Sequence, residues 1–248
     1  MYYCCGITDT GLVSHNEDTL LIGGSVLCEG RTEQNINSPF IAAVSDGVSG
    51  ERSGEVASGM CLEMLRDMRY NSRTHLDSRL MEIHNTLAEY SRNDPEVHNM
   101  QCTLCGIAVD ENDRILSFNV GDSRLYRFRG GRLTQLTRDQ SLVQLLYEEG
   151  SITLEQRRTH VHRNIIFPAF GNTNTKPKVD IMSIDGGMQY GDLLLLCTDG
   201  LSDYVSPIDM EKILELPKAL PRRLEMLIER AIANNTNDNI TVVAMVKY

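Results

Sequence analysis

The run Leu193-Leu194-Leu195-Leu196-Cys197-Thr198-Asp199-Gly200 carries five apolar residues directly into a threonine, an aspartate and a glycine. A short apolar run closed by a turn signal reads as a buried strand, and Asp-Gly supplies the turn. The construction recurs in Phe40-Ile41-Ala42-Ala43-Val44-Ser45-Asp46-Gly47 and in Ile115-Leu116-Ser117-Phe118-Asn119-Val120-Gly121-Asp122. It is mirrored where Asn237-Asp238-Asn239 opens the apolar run 240–246. Further strands are expected over residues 2–7, 19–23 and 103–109, and residues 124–136 read as a hairpin turning at Gly130-Gly131.

Helical spacing fills the gaps between these runs. Val56, Met60, Cys61, Met64, Leu65 and Met68 form one apolar stripe, and Leu76, Leu80, Ile83 and Leu87 a second. Leu220, Leu224, Leu227, Ile228, Ala231 and Ile232 form a third near the end of the chain. Strict strand–helix alternation is missing, which favours antiparallel sheets with helices packed outside them over a doubly wound parallel sheet. The methionine-rich stripe reads as core rather than as a partner groove.

Composition narrows the function classes. A net charge of −10 argues against a general binder of nucleic acid or anionic membrane, because neither surface attracts an acidic chain. No run is long and apolar enough to span a bilayer, and the first residues show no export signal. The seven cysteines therefore read as reduced thiols of a cytoplasmic protein. Cys102 and Cys105 have CxxC spacing but lie on a strand, where positions three apart face opposite ways, so they read as core fillers rather than metal or redox ligands.

Each strand-end aspartate alone is an ordinary turn residue. Together they carry more, because the end of one antiparallel strand lies beside the start of its neighbour. Asp199 and Asp238 are expected to meet at one sheet edge with Asp46 and Asp122 facing them. Two unit charges about 4 Å apart repel by roughly 4 kcal/mol at an effective dielectric near 20, so such a cluster calls for cations or protons. Oxygen donors without imidazole or thiolate suit Mg²⁺ or Mn²⁺ rather than zinc.

These segments resemble, in order along nearly the whole chain, the motifs of the PP2C-type serine/threonine protein phosphatases, in particular their compact bacterial members. Gly11–Asp18 looks like the opening motif, Ser45-Asp46-Gly47-Val48-Ser49-Gly50 is similar to the Asp-Gly-x-Gly-Gly segment, and Met100–Leu104 echoes Met-Gly-Thr-Thr. Gly121-Asp122-Ser123-Arg124 matches Gly-Asp-Ser-Arg. Leu136–Val143 resembles Leu-Thr-x-Asp-His-Ser, and Thr198-Asp199-Gly200-Leu201-x-Asp203 and Asp238-Asn239-Ile240-Thr241 complete the set. The resemblance implies one catalytic domain over residues 1–248, an α+β four-layer αββα sandwich of two antiparallel sheets flanked by helices. It implies two Mg²⁺ or Mn²⁺ ions, with a weaker third in bacterial relatives.

Carried over by position, Asp46 bridges two ions, the Gly47 carbonyl ligates one, and Glu17 sits on the second. Asp199 and Asp238 hold the first ion, while Asp122 and Asp199 take the third. Asp18 and Asn239 would orient ligands and waters. Asp203 reads equally well as a helix cap. The chemistry implied is in-line hydrolysis of phosphoserine and phosphothreonine by a metal-bridging hydroxide, with Asp46 and Asp199 as the residues that act through it. Cys4, Cys5 and Cys197 are then not nucleophiles. The expected partners are phosphorylated proteins, opposing a serine/threonine kinase, with no nucleic acid and no membrane.

The sequence departs from the family pattern at several points. The opening motif usually carries a phosphate-gripping arginine four residues before the glutamate, where Val13 stands here, in a loop one residue shorter. A charge-assisted hydrogen bond is typically worth about 1.5–3 kcal/mol, so its loss should weaken turnover without abolishing it. Ser49 and Glu51 replace a glycine and a histidine, and Gln140 replaces the histidine of Asp-His-Ser. His15 is a candidate substitute for the arginine, while Arg124 reads as structural. His160, His162 and Asn164 fall in the region resembling the flap, the histidines as exposed loop residues and Asn164 as a marginal contributor to the third ion. Two other readings remain open, a weakly active or inactive binding module and a hydrolase of small phosphoesters.

Overall fold

Central strands buried on both faces need apolar side chains throughout, whereas edge strands tolerate polar ones. That distinction orders the sheets in the computed structural model, which describes residues 1–48, 53–184 and 186–248. Ser49, Gly50 and Glu51 lie outside the described residues.

The first sheet runs β4 (Gly30–Ile36), β1 (Tyr2–Asp9), β12 (Ile240–Lys247), β11 (Leu193–Cys197), β8 (Arg124–Arg129), β9 (Arg132–Gln135). The second runs β10 (Asp180–Ser183), β7 (Ile115–Val120), β6 (Leu104–Val109), β5 (Phe40–Ser45), β2 (Thr19–Ile22), β3 (Ser25–Leu27). Every pairing is antiparallel. The interior strands β5, β6 and β11 are buried along their whole length, while the edge strands β3 and β4 contain no fully buried residue. The hairpin of β8 and β9 turns at Gly130 and Gly131, both at positive φ, as the tight reversal requires.

Helices α1 (Ser53–Asp67) and α2 (Leu76–Asn93) cover the outer face of the second sheet. Cys61, Leu62, Leu65, Leu80 and Leu87 pack there on Leu21, Ala43, Leu104 and Phe118, with Met60 and Met64 at the margin. The methionine stripe is thus core material. On the first sheet, α6 (Pro207–Leu214) and α7 (Leu220–Ala233) bury Met210, Leu224, Leu227 and Ala231 against Tyr126, Leu195 and Val242. Between the sheets lie Leu20, Val44, Ile107, Leu125, Leu196 and Val243. The result is the expected four-layer αββα sandwich.

Cys102 belongs to the helix-side core and Cys105 to the inter-sheet core, so the CxxC pair faces opposite ways as its spacing predicts. Two short helices, α3 (Leu142–Glu148) and α4 (Leu154–Thr159), sit in the crossover from β9 to β10. A single helical turn, α5 (Asp199–Ser202), follows β11. Among the described residues no helix is long and apolar enough to cross a membrane.

Candidate functional site

The strand-end aspartates converge because both sheets end at one side of the sandwich. Asp199 leaves β11, which pairs with β12 from Leu193↔Val246 to Cys197↔Val242, so the end of β11 lies beside the start of β12 where Asp238 stands. Asp46 and Asp122 leave β5 and β7 of the facing sheet. Glycine is required where these turns close. A Cβ on Gly200 would lie 1.8 Å from the Asn239 carbonyl oxygen, so Asp199-Gly200 packs directly on Asp238-Asn239. A Cβ on Gly54, in the first turn of α1, would meet the Glu17 carboxyl carbon at 2.8 Å and the Gly47 carbonyl oxygen at 2.9 Å. Glu17 and the Gly47 carbonyl therefore converge on a cradle that only glycine leaves open.

The charges feel one another. Burial holds the Asp46 carboxyl protonated well above the usual range, reinforced by Asp18, Asp199, Asp238 and Asp122. Asp199 is raised well above it by burial, then by Asp122, Asp238 and Asp203. Asp122 is pushed up to about 7 by burial and by Asp139 and Asp203. Burial, then Asp238 and Glu55, also raises Glu17. Burial raises Asp238, while the Asn239 backbone N–H and the Arg163 charge pull it back.

The carboxylates converge without closing into a ready-made cage: among the described residues no three acidic, imidazole or thiol groups already form one. The donor set still fits a hard cation. Asp199 Oδ1 is buried with no hydrogen-bond partner among the described residues, a cost of about 1–3 kcal/mol or more that an ion would relieve. Every converging donor is oxygen, as Mg²⁺ and Mn²⁺ prefer.

A second ring of polar groups fixes the carboxylates. Asp18 is buried, and its Oδ2 accepts from Thr198 Oγ1 at 2.8 Å. Burial pushes its carboxyl up to about 7, opposed by the Thr241 and Thr198 hydroxyls. Asn239 ties the opening loop together: Oδ1 accepts from the Glu17 backbone N–H at 2.9 Å, while Nδ2 donates to the carbonyls of Thr10 and His15 at 3.0 and 2.7 Å. Thr103 clamps Asp46, donating its backbone N–H to the Asp46 carbonyl and accepting the Asp46 N–H on Oγ1.

Several sequence candidates lie elsewhere. Val13 and His15 are exposed on the loop, and His15 reaches the network only through its carbonyl. Arg124 is buried in a bidentate pair with Asp139, at 3.0, 3.1 and 2.7 Å, as its structural reading requires. Asp203 is the C-terminal cap of α5 through its backbone N–H, which donates to the Asp199 carbonyl, while its carboxylate lies between Arg124 at 3.6 Å and Arg163 at 3.9 Å. Gln140 is buried. It accepts from the Gly121 N–H and donates to the Lys178 carbonyl and Asp180, so it holds the turn before Asp122 instead of supplying a proton. His160 Nδ1 accepts from the His162 backbone N–H, and Asn164 is exposed.

Sequence reading missed Arg163, whose guanidinium approaches Asp203 and Tyr204 and whose charge reaches Asp238. No local pattern marks it. It also assigned no role to Thr198 and Thr241, although both are polar residues at the ends of apolar runs, within three residues of Asp199 and Asp238, which was a usable signal.

Comparison with known proteins agrees with this geometry. The Protein phosphatase 2C family profile matches residues 28–230. The serine/threonine phosphatase Stp of Listeria monocytogenes is 33% identical over 246 residues, covering 95% of this chain and 92% of its own. The serine/threonine phosphatase Stp1 of Staphylococcus aureus superposes with a TM-score of 0.84 at 27% identity, over 100% of this chain and 96% of its own. The catalytic domain of the serine/threonine protein phosphatase PstP, solved with two manganese ions, superposes at 0.80 with 29% identity over 99% of each chain. A profile match over well more than half the sequence, on a matching sandwich with its acidic residues gathered at one end, makes this chain a member of the protein phosphatase 2C family.

Proposed function

We propose that this chain is a metal-dependent protein phosphatase that hydrolyses phosphoserine and phosphothreonine in protein substrates, as one catalytic domain over residues 1–248. The observation that carries the reading is the convergence of Asp46, Asp122, Asp199, Asp238 and Glu17 on one end of the sandwich, with a buried Asp199 oxygen left without a partner. Asp199 and Asp238 would hold one ion, Glu17 and the Gly47 carbonyl a second, and Asp46 both. Asp122 with Asp199 would take a weaker third. Mg²⁺ and Mn²⁺ suit these donors equally. When bound, such ions offset charge on the phosphoryl oxygens and acidify a water for in-line attack.

The chain's own groups prepare that site. Asn239 and Asp18 fix the Glu17 loop and the start of β12, so the ligand carboxylates are held before any ion arrives. Thr103 sets the backbone of Asp46. Among the described residues Arg163, whose charge reaches Asp238, would meet an incoming phosphate there, in place of an arginine at position 13. The thiols take no part: burial pushes Cys4, Cys5 and Cys197 up to about 12, so none is a thiolate at neutral pH. An inactive binding module would leave the retained carboxylate cluster without a purpose. The enzyme would act in the cytoplasm against a serine/threonine kinase.

The test is phosphate release from a phosphothreonine peptide at increasing Mn²⁺, for wild type and Asp46→Ala, with EDTA as control. Metal-dependent release that falls to background in Asp46→Ala is expected. A wild type that binds metal by calorimetry but releases no phosphate would sink the reading.

A further inference from the structure

Away from the carboxylates, a groove of about 610 Å³ opens between α2 and the segment 172–176. Its wall from α2 presents His84, Asn85, Glu89 and Arg92, and the facing segment adds amide and hydroxyl groups and Lys176. Among the described residues Ala88 is its only apolar lining residue, and Glu89 its only acid. A positive, hydrogen-bond-rich groove is unexpected on a chain of net charge −10.

His84 makes this more than an exposed basic patch. The residue is 3% exposed, and its Nδ1 accepts the Gly171 backbone N–H at 3.2 Å. With Nδ1 accepting, the neutral ring carries its proton on Nε2, and that N–H has no acceptor among the described residues. Phe170 stands edge-on to the ring at 5.8 Å and fixes its plane. His84 lines the groove, so this N–H is free to donate to a group held there. Lys176 and Arg92 line the same groove as His84, and after burial itself their charges lower the imidazole's pKa, which keeps the ring neutral.

The groove is also built to keep its shape. Asn172 Oδ1 accepts from the backbone N–H groups of Asn174 and Thr175 and from the Thr175 hydroxyl, folding the segment into a tight turn. Arg92 Nη2 donates to the Thr173 carbonyl at 3.0 Å, which docks the turn on α2. Lys176 has no acidic partner within ion-pair distance among the described residues. It is followed by the buried Pro177, which restrains the chain behind it.

We propose that this groove is a second oxyanion site, taking a phosphoryl group on His84 Nε2, Arg92 and Lys176. A tetrahedral dianion accepts several N–H bonds at once and matches two cations beside one neutral donor. A metal cation would be repelled by the same pair, and an apolar group would leave the groove's amide, hydroxyl and charged groups unpaired. The dianion has two possible sources, free inorganic phosphate and a second phosphorylated side chain on a protein substrate. One segment ties the groove to the carboxylate end: the backbone of Gln101 and Cys102 pairs with Val48 and Gly47 on one side and, at Cys102, with Phe170 on the other, where the Gln101 side chain also accepts from Asn172 Nδ2. Occupancy of the groove does not depend on the phosphatase reading.

The experiment follows the His84 ring by NMR in the metal-loaded protein while inorganic sulfate, a tetrahedral dianion that is not turned over, is titrated in. Wild type is compared with Lys176→Glu, an exposed change that leaves the fold intact. A saturable shift of the His84 signals is expected, with its midpoint raised about tenfold or more in Lys176→Glu, as the loss of a charge-assisted contact implies. Turnover of p-nitrophenyl phosphate should stay unchanged. No saturable shift in wild type, or the same midpoint in the variant, overturns the proposal. Singly and doubly phosphorylated peptides then separate the sources. A higher kcat/KM for the doubly phosphorylated peptide, lost in Lys176→Glu, assigns the site to substrate. Equal values, with the sulfate shift retained, assign it to free phosphate. Failure of the phosphatase reading would show separately, as absent turnover in wild type.

Discussion

Arg124 offers a sharp test of which arginines serve structure and which serve phosphate. It belongs to the Gly121-Asp122-Ser123-Arg124 motif, beside a carboxylate assigned here to metal, so a direct role on substrate is the tempting alternative. The geometry points the other way. Arg124 is 8% exposed and its partner Asp139 is 4% exposed. It also donates to Tyr126 Oη and to the Ser202 carbonyl, both at 3.3 Å. Replacing it by methionine keeps much of the stem but strands Asp139 inside the protein. Breaking a buried pair by removing one partner typically costs about 3–5 kcal/mol. Gln135 Nε2 still donates to Asp139 at 2.8 Å and Arg157 remains at 3.9 Å, which places Arg124→Met near the lower end.

At roughly 2–4 °C per kcal/mol for a domain of this size, a loss of about 3 kcal/mol lowers the melting temperature by about 6–12 °C. Urea unfolding measures the same loss. Adding Asp139→Asn removes the stranded charge and should return part of it, which a merely local packing defect would not allow. Turnover of p-nitrophenyl phosphate, measured well below the new midpoint, should fall by less than about tenfold. A stability change under about 1 kcal/mol, together with a KM raised about tenfold or more, would show that Arg124 grips phosphate and refute the structural reading.

Asp122→Asn tests the electrostatics of the cluster without metal. Burial raises the Asp122 carboxyl to about 7, so the folded state keeps a proton that the unfolded chain releases near pH 4. Stability linked to this group therefore falls as pH rises from about 4 to about 7. In EDTA, Asp122→Asn should gain about 2–3 kcal/mol more at about pH 8 than at about pH 5, measured by urea unfolding. An equal effect at both pH values would show that Asp122 ionises normally. Arg163→Ala should raise the KM for a phosphopeptide about tenfold while leaving the melting temperature within a few degrees, since its pairing with Asp203 is loose at 3.9 Å. An unchanged KM would remove Arg163 from the site.

What was legible in the sequence follows the physics that shapes each element. Strands with both faces buried announce themselves as apolar runs, so β5, β6, β7 and β11 were readable to within a residue or two. The edge strand β4, Gly30-Arg31-Thr32-Glu33-Gln34-Asn35-Ile36, carries no such signal. It is a strand because β1 offers it a ladder, from Tyr2↔Ile36 to Thr8↔Gly30. Strand β10 was missed for the same reason, since its four residues gain their conformation from β7. The strand-end carboxylates were legible because an acid stopping an apolar run is a local event. Links across the fold were not: Asn239 reaching Glu17, His84 receiving Gly171 and Arg163 facing Asp238 join residues that no local pattern connects.

The opening loop shows why a missing arginine need not unmake the site. Its two ends are held by a single side chain, Asn239, whose amide grips the carbonyls of Thr10 and His15 and the backbone N–H of Glu17. Gly11, at φ +67°, packs so closely that a Cβ would lie 2.6 Å from the Asp238 carbonyl oxygen. The base of the loop thus fixes Glu17 whatever its tip carries, and Leu12 and Val13 stand exposed beyond the anchored part. Holding ligands for a cation and gripping a phosphate are separable tasks: the first rests on the buried network of Asn239, Asp18 and Thr198, the second on whichever guanidinium can reach the mouth. Restoring arginine at position 13 would therefore place a charge on an exposed tip in a shortened loop, whereas Arg163 already sends its charge to Asp238 from the segment after α4.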